Sequence, residues 1–452
     1  MLPRCPAAPL PLILLPMQPQ ALPGFRDFYP ADLALRDHIF RTWRQVAARY
    51  GFEEYDGPPL EALELYTAKS GEEIVGQLYS FTDKGGREVS LRPEMTPTLA
   101  RMVAARANGL KKPIRWFSIP QLFRYERQQR GRLREHFQLN CDLIGESGHL
   151  ADAEIVALAI DAVRAFGLGS GDVRVRISDR RLLTALLRAL EVTEAQVPVV
   201  YQVFDKIRRA PAEVSEGRLA GAGIPPGTVE RLLGLARARS WSDLNELGRG
   251  IDGALAEGEL LRRTIDALGA MGFAEYIDLD LGIVRGLAYY TGTVFELFDA
   301  RGELRAICGG GRYDNLLQSL GGVDLPALGF GMGDVVLGEL LRDRGLAPET
   351  PASIDAFLAA ITQEDLPEVL GLARELRDAG LRVEYALAPQ AVGKQLKLAD
   401  ARGARVAVVV GPDDRARGEV IVKDLRGRGQ ESVARGSVRD HVAEVVRRTL
   451  SP

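Results

Sequence analysis

Between Ile283 and Phe295 the chain reads I-V-R-G-L-A-Y-Y-T-G-T-V-F: one fixed cation, Arg285, then Tyr289, Tyr290 and two glycines inside an otherwise strand-like apolar stretch. A guanidinium there is costly to bury unless an anion meets it, so a negatively charged ligand belongs at this segment. A second group of candidates lies in L-F-R-Y-E, residues 122–126, and F-Q-L-N-C-D, residues 137–142. Period-two alternation puts Arg124 and Glu126 on one face of the first strand. In the second it puts Gln138, Asn140 and Asp142 opposite Phe137, Leu139 and Cys141. An arginine clamps a phosphate or carboxylate through two parallel hydrogen bonds, and a carboxylate accepts from an ammonium or an exocyclic amine. A solvated sheet face with incidental ion pairs would give the same alternation. The turn between the two strands, R-Q-Q-R-G-R-L-R from Arg127 to Arg134, crowds arginines around Gly131. It is either a solvated basic tip or a loop that meets polyphosphate or an RNA end.

Leu91–Thr96 reads L-R-P-E-M-T and leads into helical spacing at Leu99, Met102 and Val103. Glu94 and Thr96 therefore sit at a helix start, where capping explains them as well as ligand binding does. The run A-I-C-G-G-G-R-Y-D-N at Ala306–Asn315 follows a strand signal at Arg305–Cys308, and G-F-G-M-G-D spans Gly329–Asp334. Such glycines let a backbone approach something flat or anionic, or they form a turn. Neither run has the spacing of a P-loop or of a dinucleotide fingerprint.

With 452 residues, 46% of them hydrophobic, the chain can bury more than one core. Its net charge of −3 means that any contact with nucleic acid must come from local basic stretches. Cys5, Cys141 and Cys308 lie far apart and only four histidines are present, which argues against a disulfide framework or a zinc site and for a reducing compartment. No membrane helix is expected. Residues 1–16 are broken by prolines and read as a disordered or mis-called extension, with Met17 as the start.

The elements that must position these groups follow from periodicity. Leu35, Ile39, Trp43, Val46 and Tyr50 mark a long amphipathic helix that stops at Gly51. Residues 114–145 read as an antiparallel hairpin. From 180 to 272 helical stretches predominate: Arg181–Leu190, Thr193–Arg209 behind a T-x-x-Q capping box, Val229–Ala238 and Glu259–Met271. Strand signals return from Tyr276 through Phe298, a helix begins near Asp334, and Pro348–Pro351 is a linker. Beyond it four strand signals alternate with three helical stretches, an α/β unit of ordinary size.

In this order the segments resemble histidyl-tRNA synthetases, a family of class II aminoacyl-tRNA synthetases, over residues 22–450. The long helix with Pro58 resembles motif 1, the dimer-forming element, and F-R-Y-E with its basic loop and return strand resembles motif 2. V-R-G-L-A-Y-Y-T-G at 284–292 and C-G-G-G-R-Y-D at 308–314 resemble signatures of the histidyl enzymes. The resemblance implies an α+β fold, an antiparallel class II sheet flanked by helices. Its catalytic domain would comprise residues 17–179 and 273–347, with a helical insertion at 180–272 and an α/β anticodon-binding domain at 352–452.

The implied activity is cytoplasmic histidine–tRNA ligation by a homodimer. Histidine and ATP with Mg²⁺ give histidyl-adenylate and pyrophosphate, and the acyl group then passes to the 3′ end of tRNA(His). By position, the family would set Arg124 on the α-phosphate, Glu126 at the adenine amine and Arg132 toward the distal phosphates. Glu94, Thr96 and Gln138 would hold the substrate ammonium. Asp142, Tyr290 and Tyr313, with Tyr289 beside them, would read the imidazole, and Arg285 would bridge the substrate carboxylate and the α-phosphate as the electrostatic catalyst. Lys394 and Gln395 would lie near the anticodon, an assignment that an ordinary loop and helix start would equally explain.

Three positions depart from the family pattern. Ala288 replaces a frequent aspartate, His136 precedes Phe137 where a phenylalanine usually stacks on adenine, and motif 3, commonly G-L-E-R, reads G-D-V-V from Gly333 with no arginine. Organellar and cyanobacterial-like members resemble this variant. Two other functions compete with ligation. One is the non-catalytic paralogue that regulates ATP phosphoribosyltransferase, which usually lacks the anticodon module. The other is a generic nucleotide-dependent enzyme acting on an unrelated acid.

Overall fold

A computed structural model describes residues 20–67, 75–127, 129–208, 210–283, 290–302, 304–348, 354–427 and 429–448. They divide into two compact units, separated between Ala347 and Pro348. The expectation about residues 1–16 lies outside the described residues, as does most of the expected linker.

Helix α1, Pro30–Arg49, starts on a proline whose missing N–H is one of the unpaired donors of any first turn. Tyr50 follows it, and the chain turns away at Gly51 with φ +73. Its apolar stripe, Leu35, Ile39, Trp43 and Val46, is buried against helices that come later in the chain, α4 (His149–Arg164) and α13 (Asp334–Asp343). Between α1 and α4 come the short α2, Glu64–Thr67, and α3, Thr96–Ala104.

The strands of this unit are β1 (Glu53–Glu54), β2 (Leu60–Ala62), β3 (Tyr79–Thr82), β4 (Glu88–Leu91), β5 (Ile114–Ser118), β6 (Gln121–Phe123), β7 (Glu135–Ile144), β8 (Val173–Asp179), β9 (Ile277–Leu279), β10 (Thr293–Asp299), β11 (Cys308–Arg312) and β12 (Ala327–Gly333). Among the described residues, β2, β4 and β3 form a small antiparallel sheet. The large sheet runs β1-β5-β7-β12-β11-β10-β8-β9, with β6 paired to β7.

The expected hairpin is one long strand facing two short ones. Ile114 of β5 pairs with Ile144 and Gln121 of β6 pairs with Phe137, with Ile119-Pro120 as the break. Because β6 ends at Phe123, Arg124 and Glu126 follow the strand instead of lying within it. Arg124 still donates its N–H to the Arg134 carbonyl at 2.9 Å, and Glu126 folds back onto the Arg124 carbonyl at 2.7 Å. The triple glycine also differs from expectation: it lies inside β11 and does not follow a strand.

The register explains why that strand is glycine. Gly329 and Gly331 of β12 pair with Asp142 and Asn140 of β7 on one side and with Gly311 and Gly309 of β11 on the other; Gly333 pairs with Gln138. These five glycines fall on the same face of two adjacent central strands. A Cβ at Gly331 would overlap the Gln138 carboxamide, and one at Gly329 would overlap the Asp142 carboxylate. Gly310 points the other way, where a Cβ would strike the ring of Phe295 and the Cβ of Phe330. That opposite face is core: Leu139, Cys141, Leu297, Cys308, Phe330 and Met332 pack beneath it.

Seven helices follow β8: α5 (Arg180–Ala189), α6 (Val197–Lys206), α7 (Ala212–Gly221), α8 (Pro226–Arg237), α9 (Trp241–Leu247), α10 (Asp252–Ala256) and α11 (Glu259–Ala270). The capping box expected at Thr193 is half made. Gln196 accepts the Thr193 N–H at 3.0 Å, and the helix begins only at Val197, with Pro198 in its first turn. Leucines from these helices share one continuous core with the large sheet. Helix α12, Leu316–Gly321, packs on α3.

The second unit carries β13 (Ala356–Ala360), β14 (Val383–Tyr385), β15 (Val406–Val410), β16 (Glu419–Asp424) and β17 (Gln430–Ala434) in the order β14-β13-β15-β16-β17. Helices α14 (Leu366–Asp378), α15 (Val392–Ala401), α16 (Pro412–Ala416) and α17 (Val438–Arg448) complete it. Strand β17 and helix α16 carry no apolar period of their own. Gln395 is buried and its amide donates to the Ala360 and Gln390 carbonyls, at 2.8 Å each, so it ties α15 to the end of β13 and is not a free contact residue. Lys394 is exposed.

Arg312, at the end of β11, is 1% exposed and forms a bidentate pair with the fully buried Asp152 of α4, at 2.5 and 3.2 Å. It also bonds the Glu146 carbonyl at 3.0 Å and Asp314 at 3.1 Å. The pair pins the strand end that carries Tyr313. Arg312→Ala would leave Asp152 buried and uncompensated, and the expected loss of stability in urea unfolding is about 3–5 kcal/mol.

Candidate active site

The polar face of the large sheet holds two adjoining clusters. In the first, Arg124, Glu126, Arg132, His136 and Gln138 line one cleft, floored by Gly331 and Gly333 and rimmed by Gly131 and Val336. Loop geometry places the cations. Gln129 and Arg132 exchange backbone hydrogen bonds at 3.2 and 2.9 Å around Gly131, whose φ of +73 suits glycine. This turn returns Arg132 over the cleft, where its guanidinium pairs with the buried Glu126 carboxylate. The Arg124 Nε donates to the Pro93 carbonyl at 2.9 Å, and Arg124 Nη1 lies 3.9 Å from Glu126.

His136 has the same strand parity as Gln138 and therefore faces the cleft. Phe137 faces away, edge-on to Phe40 with ring centroids 5.1 Å apart. Burial, with the nearby charges of Arg124 and Arg26, pushes the His136 imidazole down to about 3. It is thus a neutral, flat ring at physiological pH. Its strand is fixed by a group with no local sequence signal: Arg26 bonds Glu135 at 2.6 Å and Asp334 at 2.8 Å, and Asp334 accepts the Phe137 N–H at 2.9 Å. These partners are far apart in the chain, so no spacing rule could have paired them.

The second cluster surrounds Asp142. The Tyr313 hydroxyl donates to its carboxylate, and the Tyr290 ring lies beside Tyr313 with centroids 6.5 Å apart. The second carboxylate oxygen, Oδ2, is buried and has no hydrogen-bond partner among the described residues. An acceptor left open beside a tyrosine suits a ligand that brings an N–H donor. Burial, and then the charge of the buried Glu94, pushes the Tyr290 hydroxyl up, so it stays protonated and able to donate. Glu94 precedes α3 and does not cap it, since Met95 occupies the cap position and no side chain bonds there. Thr96 is buried in the first turn of α3 and is joined to neither cluster by a described contact. Arg285 and Tyr289 lie outside the described residues.

Burial pushes the Asp142 carboxyl up to about 7, with the Tyr313 hydrogen bond opposing the rise. A carboxyl raised above its ordinary value costs stability as pH climbs from the ordinary range to the raised one, and the cost is complete above it. Asp142→Asn should therefore match the parent near pH 4 and exceed it at pH 8 by on the order of 4 kcal/mol. Urea unfolding at both pH values checks this; a pH-independent difference would show that Asp142 titrates normally.

The profile of a family described as histidyl-tRNA synthetase matches residues 24–334, and that of an anticodon binding domain matches residues 355–445. The chain is 46% identical to a histidine–tRNA ligase of Opitutus terrae over 94% of its own length and 98% of the relative's. It is 40% identical to a chloroplastic/mitochondrial histidine–tRNA ligase of Arabidopsis thaliana, covering 89% of this chain and 82% of that one. Among solved structures, it is similar to histidyl-tRNA synthetase from Nostoc sp. PCC 7120, with a TM-score of 0.82, 26% identity, and coverage of 96% of this chain and 100% of that one.

Proposed function

The chain belongs to the histidyl-tRNA synthetase family, and from that premise we propose how its two clusters divide the reaction of a histidine–tRNA ligase. The reaction itself follows from the family: histidine and ATP give histidyl-adenylate and pyrophosphate, and histidine then passes to the 3′ end of tRNA(His). Asp142 with Tyr313 carries the reading. An imidazole brings one donor and one acceptor, and an open buried carboxylate oxygen beside tyrosine hydroxyls suits both. Such a pocket rejects apolar side chains of the same size, because its own polar groups would be left unpaired.

The nucleotide belongs to the Arg124 cleft. Arg124 takes the α-phosphate, the neutral His136 ring stacks on adenine, Glu126 accepts from the adenine amine, and Arg132 turns from Glu126 to the distal phosphates. Gln138, Glu94 and Thr96 hold the substrate ammonium; Tyr289 and Tyr290 close the imidazole pocket. The family pattern assigns Arg285 to bridge the substrate carboxylate and the α-phosphate. Two anions must meet there, and a fixed guanidinium favours their approach and the more charged transition state. Mg²⁺ enters with the triphosphate.

On domain roles, the same proposal gives residues 17–179 and 273–347 to catalysis, 180–272 to a helical insertion and 352–452 to the anticodon. A homodimer belongs to the same proposal and rests on the resemblance of α1 with Pro58 to the dimer-forming motif 1. The buried free thiols Cys141 and Cys308 suit the cytoplasm. Among the described residues no helix is long and apolar enough to cross a membrane. The regulatory alternative is not favoured, since the anticodon module is present and relatives named as ligases match nearly the whole chain.

Histidine-dependent exchange of pyrophosphate into ATP, followed by charging of tRNA(His), tests the activity; its absence would overturn the reading. Arg285→Ala should lower the exchange rate by roughly 100-fold or more while leaving ATP binding and the melting temperature near the parent's. Near-parental exchange would remove Arg285 from the mechanism.

A further inference from the structure

A second cavity opens from the nucleotide cleft, and the two share Gly131, Arg132, Ala306 and Val336. Its walls carry Arg176, Lys206, Arg208 and Arg305. Arg208 is already matched, 2.7 Å from Asp280, and the Arg176 guanidinium lies flat over the Phe298 ring at 4.2 Å. Arg305 is different. It is exposed, it immediately precedes Ala306 of the cleft wall, and its guanidinium donates to Gln129, a neutral acceptor on the same turn that carries Arg132. Seen from Gly131, the Arg305 Cδ is 3.9 Å and the Val336 methyl 3.2 Å from the position a Cβ would take. Thus one guanidinium stem and one apolar side chain flank the turn tip, and beside that tip Val336 supplies no charge.

We propose that Arg305 is a second cation that, with Arg132, receives the leaving pyrophosphate, an assignment that rests on the nucleotide reading of the cleft. In adenylation a histidine carboxylate oxygen bonds to the α-phosphorus, the bond from that phosphorus to the bridging oxygen breaks, and the electron pair leaves on the pyrophosphate. Charge therefore builds on the two distal phosphates as the bond opens. Arg124 is held by the Pro93 carbonyl, with Glu126 3.9 Å away, and Arg132 is engaged by the same Glu126 until nucleotide arrives. Arg305 stands beside Gly131 at the tip of the same turn, tethered to a neutral amide that it gives up at small cost. A guanidinium there meets two phosphate oxygens at once.

The test measures ATP–pyrophosphate exchange and tRNA charging with Arg305→Gln, Arg305→Lys and Gln129→Ala. Arg305→Gln should raise the KM for pyrophosphate and lower the exchange rate by roughly 10–100-fold, leaving the KM for histidine unchanged. Arg305→Lys should recover most of the loss, and Gln129→Ala should exchange like the parent. Unimpaired exchange by Arg305→Gln overturns the proposal. Normal exchange with impaired charging also overturns it and gives the cation to the RNA end. Equal defects in all three variants reduce Arg305 to a tether of the turn. Melting temperatures distinguish these outcomes from misfolding, and a parent protein with no exchange would instead remove the underlying reading.

Discussion

The site depends on one steric constraint: the side chains of β7 must lie across the backbone of the neighbouring strand. Gln138 and Asp142 occupy space that a Cβ on Gly331 or Gly329 would fill. Five glycines on one face of β11 and β12 thus make a floor without side chains, and the recognition groups lean over it from both sides. On the other face Phe330 of β12 and Phe295 of β10 meet at 6.4 Å over Gly310, and Cys308 and Met332 pack beside them. One short sequence therefore satisfies a dense core below and a bare platform above.

The strand ends beside that platform are held in place by ion pairs with distant elements. Arg312 is pinned by Asp152, and so fixes the strand end that presents Tyr313 to Asp142. Arg26 joins Glu135 to Asp334 and so holds the strand end that presents His136. Buried ion pairs of this kind contribute little net stability against an apolar replacement, because desolvation offsets their attraction. Their effect is directional: each orients a strand end beside the site.

Much of this was legible in the residues. The period-two alternation of F-Q-L-N-C-D put Gln138, Asn140 and Asp142 on one face, because strand parity is set by local backbone geometry. The same rule extends to His136 and resolves its competition with Phe137. Local rules failed where the chain leaves regular structure. Arg124 and Glu126 were expected on a strand and instead follow it, since the Ile119-Pro120 break leaves only a short strand before the loop. The triple glycine was expected after a strand and proved to be one, because glycine propensity says nothing about how closely a neighbouring strand must approach. At Glu94 capping was an equal explanation, and the structure puts Met95, not Glu94, at the cap position of α3.

The sequence by itself determined the family, the alternation along β7 and the residues that carry charge, because these depend on residue type and on spacing along one chain. Only the tertiary structure decided that Asp142 meets Tyr313, that Arg132 is held by Glu126, that Gln395 is spent inside its own unit and that Arg305 reaches the turn tip beside Val336. Most of these contacts join residues distant in sequence, and all depend on which strands are neighbours, on how closely their backbones approach and on how loops fold back. No local periodicity encodes those quantities.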